Sequence, residues 1–122
     1  MKTKLKEHVN DVHSGKGVKL DDGKPQWELL PFEQVSQVVD VLTFGAKKYA
    51  PDNWKKVRPM KRYVGAAFRH LTAWCMGEKF DKEDGKSHLA HAICCLLFLM
   101  WADDNKINME ETNEGMQIMQ HA

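Results

Sequence analysis

The chain has 122 residues, which fits one domain with a real core but leaves enough surface that self-association would help it. Eighteen Lys and Arg stand against 17 Asp and Glu, so no global field argues for a nucleic acid polymer or a membrane surface, and any anion site has to be local. No apolar run approaches the ~20 residues of a membrane span, and the opening MKTKLKEHVN lacks the apolar centre of a signal peptide, so the expected location is cytoplasmic.

Residues 1–20 read as an N-terminal arm, polar and Lys-rich up to Ser14-Gly-Lys-Gly17, mobile or docked on a partner. Residues 21–104 read as one helical domain. It opens with Asp21-Asp-Gly-Lys-Pro-Gln-Trp-Glu-Leu-Leu-Pro31, an ordered loop whose two prolines exclude regular helix and whose Trp27, Leu29 and Leu30 need cover. Turn chemistry alone explains Gly23 and Pro25, whereas Lys24 is suited to hold a phosphate and Trp27 to stack a base or fill the core.

Pro31 is placed to start a helix, and Val35, Val38, Val39, Leu42, Ala46 and Tyr49 recur behind it at three- and four-residue steps. Gly45 inside that helix costs about 1 kcal/mol relative to Ala, which points to close approach of another helix or of a ligand. Lys48 with Tyr49 and Asn53 with Trp54 then gather charge and aromatics at the helix end. A lysine there also complements the macrodipole, so the functional claim rests on the group. Glu33, Gln37 and Asp40 share one face, either a hard-cation site or a solvated surface.

A basic connection through Lys55, Lys56, Arg58 and Lys61 leads to a second helix marked by Tyr63, Ala66, Ala67, Leu71 and Trp74, with Gly77 as its stop. Arg62 and Arg69 lie two turns apart on it, solvated or clamping a polyphosphate. The third helix, from about Ser87 to Trp101, is apolar on more than one face and should be central or lie in a subunit interface. Residues 105–122 are a polar tail or a short helix. Cys75, Cys94 and Cys95 all fall inside apolar patterns without framework spacing, and read as reduced packing residues. Nothing alternates with period two over a strand's length, so the fold class is all-α.

Three of the six histidines flank the polar 77–87 connection. His88 and His91 are spaced i, i+3 and leave one helix face, and in an antiparallel hairpin His70 would meet them. Glu78 and Asp81 in the connection can supply oxygens. A lone histidine is more often a hydrogen-bonded core residue, but three with two acids around one hairpin read as a site. There is no Walker loop, nucleophile elbow or Cys-x-x-Cys pair, which removes several enzyme classes.

The succession Gly23-Lys24-Pro25, Leu29-Leu30-Pro31, Leu42-Thr-Phe-Gly-Ala-Lys-Lys-Tyr49, Asn53-Trp54, Arg69-His70-Leu71, Gly77-Glu78, Asp81 and His88-Leu-Ala-His91 resembles the dATP/dGTP diphosphohydrolase family, the MazZ-like proteins common in phages. The resemblance covers residues 21–101. It implies an oligomeric, MazG-like helical bundle that cleaves a purine deoxynucleoside triphosphate to monophosphate and pyrophosphate with a divalent metal, in the host cytoplasm if phage-encoded. On the first helix Glu33 and Asp40 stand seven apart, not in the ExxE spacing of MazG-type sites, and a His-rich centre favours Mn, Co or Zn over Mg.

On this reading His70, Asp81, His88 and His91 are the metal ligands, and His70, Glu78 and Asp81 the catalytic groups. Lys24, Lys48, Arg62 and Arg69 would neutralise the triphosphate, with Trp27, Tyr49 and Trp54 flanking the base beside Asn53. The competing reading is a non-catalytic protein that sequesters a nucleotide or cyclic nucleotide, an anti-defence sponge with the same cations and aromatics. A helical interaction module is the third.

Overall fold

A computed structural model describes His13 and residues 15–113. Most of the expected N-terminal arm, and the expected tail from residue 114, lie outside the described residues. The chain divides into two compact units, Met1–Leu30 and Pro31–Ala122.

In the first unit, the Lys24 amide closes a turn onto the Asp21 carbonyl, with Gly23 at φ 79°, and a 3₁₀ helix spans Trp27–Leu29. Among the described residues the expected cover over this loop is not there: Trp27 is 73% and Leu29 74% exposed. A single 3₁₀ turn splays three side chains in three directions and has no second layer of its own to receive them.

The second unit is built on three helices, α1 (Phe32–Lys48), α2 (Arg62–Cys75) and α3 (His88–Asp104), with a 3₁₀ helix at Asn53–Lys56. Pro31 occupies the N-cap position of α1 in extended conformation, and Pro51 with left-handed Asp52 (φ 61°) prevents continuation past Tyr49. α2 ends in a Schellman motif: the Gly77 amide bonds to the Trp74 carbonyl and the Glu78 amide to that of Ala73, with Gly77 at φ 95°. At the start of α3 the Ser87 hydroxyl accepts from the Ala90 amide, 3.2 Å.

α3 packs against both other helices, the central role its apolar composition predicts. Val38 and Val41 of α1 meet Ala90 and Cys94 of α3, with Leu42 and Phe98 at the margin. Farther along α3, Trp54 stacks on Phe98 (centroids 4.3 Å, planes 14° apart) and meets Trp101 edge-on, while Tyr63 closes on Phe98 from α2. Residues 105–113 contain no helix. They return to the basic connection, where the Lys61 amide donates to Met109, Lys61 Nζ pairs with Glu110 at 2.9 Å and Arg58 with Glu111 at 3.2 Å. Among the described residues no strand forms, only an isolated antiparallel bridge between Phe80 and Ser87. The unit is all-α, and no helix of the described residues is long and apolar enough to cross a membrane.

Candidate functional site

The 77–87 connection is a tight loop rather than a loose linker. The Asp81 amide donates to the Lys86 carbonyl (2.7 Å), the Gly85 amide to Asp81 (2.8 Å) and the His88 amide to Lys79 (3.0 Å), with Gly85 at φ 71° where a side chain would be strained. Two aspartates are fixed by this frame. Asp81 Oδ1 accepts from the Glu83 amide and Asp84 Oδ1 from the Lys86 amide, which leaves each Oδ2 free to face the helices. Asp81 Oδ2 lies 3.7 Å from His70 Nδ1, and Asp84 Oδ2 lies 2.8 Å from His91 Nε2.

The hairpin of α2 and α3 brings the three histidines together as their spacing predicts. His70 and His88 point Nδ1 at Nδ1 across 2.9 Å, and the His91 ring stacks on His70 with centroids 4.4 Å apart and planes 6° apart. Glu78 stands behind His88, its Oε1 3.1 Å from Nε2. A carboxylate there favours the tautomer with a proton on Nε2 and so leaves the Nδ1 lone pair for another partner.

Burial, then the charges of His91 and His88, hold the His70 pKa below its ordinary value, so the ring is neutral at pH 7. Burial pushes Asp81 upward, but the Glu83 amide and the three neighbouring imidazoles outweigh it and keep the carboxyl below its usual range. A neutral His70 beside an ionised Asp81 is the protonation state a metal site needs. Two overlapping groups, His70 with Asp81 and His88, and Asp81 with Asp84 and His91, each bring three donor atoms within 4.8 Å of one another. This nitrogen and oxygen set fits a borderline divalent ion.

A cavity of about 840 Å³ opens beside these groups. His70, Asp81, Asp84 and His91 line one part of it, and Gly45, Lys48, Tyr49, Asn53 and Trp54 another. One face of Trp54 is already covered by Phe98, whereas the Tyr49 ring is exposed, with Lys48 Nζ over it 5.2 Å from the centroid. Arg62 and Arg69 are exposed and are not among the lining residues. Lys24 and Trp27 belong to the first unit, whereas every lining residue comes from the second.

The close helix approach expected at Gly45 is absent: a Cβ built there meets nothing within 4 Å, because this face of α1 opens on the cavity. Asp40 is held by Lys86 at 2.8 Å and Glu33 is exposed, so the α1 carboxylates form a solvated face. Cys94 and Cys95 are buried as expected, and burial pushes their thiols up to about 12 and about 11. Cys75 is instead exposed, because it sits on the side of α2 turned away from the described core.

Asp84 is the site residue the sequence reading passed over. Next to Gly85 it looks like an ordinary turn residue, yet its side chain is 6% exposed and faces His91. Its position three residues after Asp81, seven before His91, is the signal that was available. Tyr63, also in the cavity wall, was read only as helix periodicity, and burial raises its hydroxyl to about 12.

The sequence model of a family described as "dATP/dGTP diphosphohydrolase, N-terminal" matches residues 14–112. A curated relative, a dATP/dGTP diphosphohydrolase of Salmonella phage PMBT28, is 32% identical over 90 residues, which are 74% of this chain and 31% of that protein. The chain thus spans about a third of the length of the curated relative it matches. No solved structure matches it.

Proposed function

This chain belongs to the family dATP/dGTP diphosphohydrolase, N-terminal, and from that premise we propose that it hydrolyses a purine deoxynucleoside triphosphate to the monophosphate and pyrophosphate, in phage nucleotide metabolism in the host cytoplasm. The observation that carries the reading is the cavity, about 840 Å³ and so of nucleotide size, which puts the histidine and aspartate cluster in the same wall as Lys48, Tyr49 and Asn53. Water attacks the α-phosphorus, the bond to the bridging oxygen of the β-phosphate breaks, and pyrophosphate leaves with that oxygen. His70, Asp81, Asp84, His88 and His91 are the residues that would hold a divalent ion, with Mn, Co or Zn preferred over Mg by the imidazoles. Such an ion supplies Lewis-acid stabilisation of charge on the phosphates. Lys48 draws the triphosphate in, Asn53 offers an amide to base or sugar, and the Tyr49 ring takes one face of the base. Glu78 fixes the orientation of His88 rather than meeting substrate.

The same reading includes a MazG-like bundle completed by a second copy of the chain. Leu89, Ile93, Leu96 and Met100 are exposed on α3 at steps of four, three and four, and Phe68, Leu71 and Cys75 on α2 at steps of three and four. Rows with that alternation are self-complementary seams, and a monomer would leave them in water. Other apolar residues of α3 face inward: Phe98 and Trp101 pack on Trp54, and Leu97 lines the cavity.

Incubation of Mn-loaded protein with a panel of nucleoside triphosphates, with products resolved by mass, tests the reaction. Monophosphate with pyrophosphate is expected. Diphosphate with orthophosphate would place cleavage at the wrong bond, and tight binding without product would replace hydrolysis by sequestration.

A further inference from the structure

The histidines do not converge on one point. An ion lies close to the plane of the imidazole that binds it, because the nitrogen lone pair lies in that plane. His70 and His91 are stacked with planes 6° apart and centroids 4.4 Å apart, so their lone pairs run in two separate, nearly parallel planes. No single position serves both rings. Each ring has its own set of partners. His70 Nδ1 meets His88 Nδ1 at 2.9 Å and Asp81 Oδ2 at 3.7 Å, and His91 Nε2 meets Asp84 Oδ2 at 2.8 Å. Two donors about 2.1 Å from a shared ion stand roughly 3.0–3.4 Å apart, so small shifts convert either cluster into a ligand set. Asp81 belongs to both clusters.

We propose that the centre holds two divalent ions rather than one, the first between His70 and His88, the second between Asp84 and His91, with Asp81 as the ligand common to both. This rests on the metal-dependent reading above and sharpens it, dividing those ligands between two positions and fixing the number of ions. Paired ions in sites that cleave phosphoryl bonds sit about 3.5–4 Å apart, a spacing that one shared carboxylate can span. The arrangement also gives each carboxylate a division of labour: one oxygen tied to a loop amide at Glu83 or Lys86, the other presented to the ions. A buried Asp84 with a single histidine partner is otherwise a costly way to end a turn.

The test is metal stoichiometry in the full chain. Metal-stripped protein dialysed against Mn²⁺ should bind two ions per chain by elemental analysis, and its electron paramagnetic resonance spectrum should show an exchange-coupled pair. Asp84→Asn keeps the volume and the acceptor for the Lys86 amide. It should drop to one ion per chain and lose the coupling, with the thermal unfolding midpoint of the metal-free protein showing that the fold is kept. His91→Gln, which removes the ring on α3 and keeps the loop sequence, should do the same. One uncoupled ion per chain in the unmodified protein, unchanged by either variant, would overturn the two-ion centre while leaving metal dependence standing. No bound Mn²⁺ would overturn both.

Discussion

Two faces of α3 meet opposite demands. Toward the cavity it presents His91 and Cys94, with buried His88 at its first turn, and almost every polar atom there has a stated partner: a carboxylate, another imidazole or a loop amide. Away from it stands a row of apolar side chains, Leu89, Ile93, Leu96 and Met100, with nothing over them among the described residues. The inner face is over-determined and tolerates few substitutions. The outer face is under-determined, and only another surface would complete it. Substitutions that separate chemistry from assembly therefore probe whether the two faces are independent.

The largest effect is expected on the inner face. Chelation should abolish turnover, Mn or Co should restore it better than Mg, and His88→Ala should lower kcat by at least about 10²-fold in a steady-state assay, since it removes a ligand and strands Glu78. Full activity in metal-stripped protein would end the metal reading. Next in size is a charge on the outer face. Leu96→Asp should weaken self-association by roughly 10²-fold or more, because an unpaired carboxylate cannot be buried cheaply in an apolar seam, and light scattering should report the monomer. A monodisperse unmodified monomer at micromolar concentration would break the comparison, since the outer row would then need no partner.

Gly45 sharpens it from a third side. A methyl group there projects into open cavity, so Gly45→Ala should stabilise the protein by about 0.5–1 kcal/mol through helix propensity while weakening nucleotide binding by roughly tenfold. Stability in denaturant and affinity by calorimetry should move in opposite directions. A loss of both would mean that the position serves packing.

How much of this was legible in the sequence follows from the range of the interactions. The helices could be read because periodicity, Pro31, Ser87 and Gly77 act locally, and the meeting of His70 with His88 and His91 followed from hairpin symmetry. Asp84 could not be read, because its role depends on a backbone frame that ties Oδ1 to Lys86 and frees Oδ2, and turn residues look alike whether or not they face a histidine. Arg62 and Arg69 show the converse. Their spacing two turns apart put them on one face, but which face it was depended on how α2 lies against α3, and both turned out exposed.

The smallest effect separates the faces by pH. The outer row of α3 has nothing to titrate, whereas His70 is held below its ordinary value of 6.5 by burial and by His91 and His88. A depressed histidine binds its proton more readily in the unfolded chain, so unfolding takes up a proton in the window between the folded value and 6.5. Stability from this source is complete above about pH 6.5 and is lost as the pH falls through that window. The unfolding midpoint of the metal-free protein should therefore decline from pH 7 toward pH 5. His70→Gln should flatten the decline. Leu96→Asp should leave the slope in that interval close to that of the unmodified protein, since a solvated aspartate titrates well below it. An equal slope in His70→Gln and the unmodified protein would show that the titration belongs elsewhere than on the inner face.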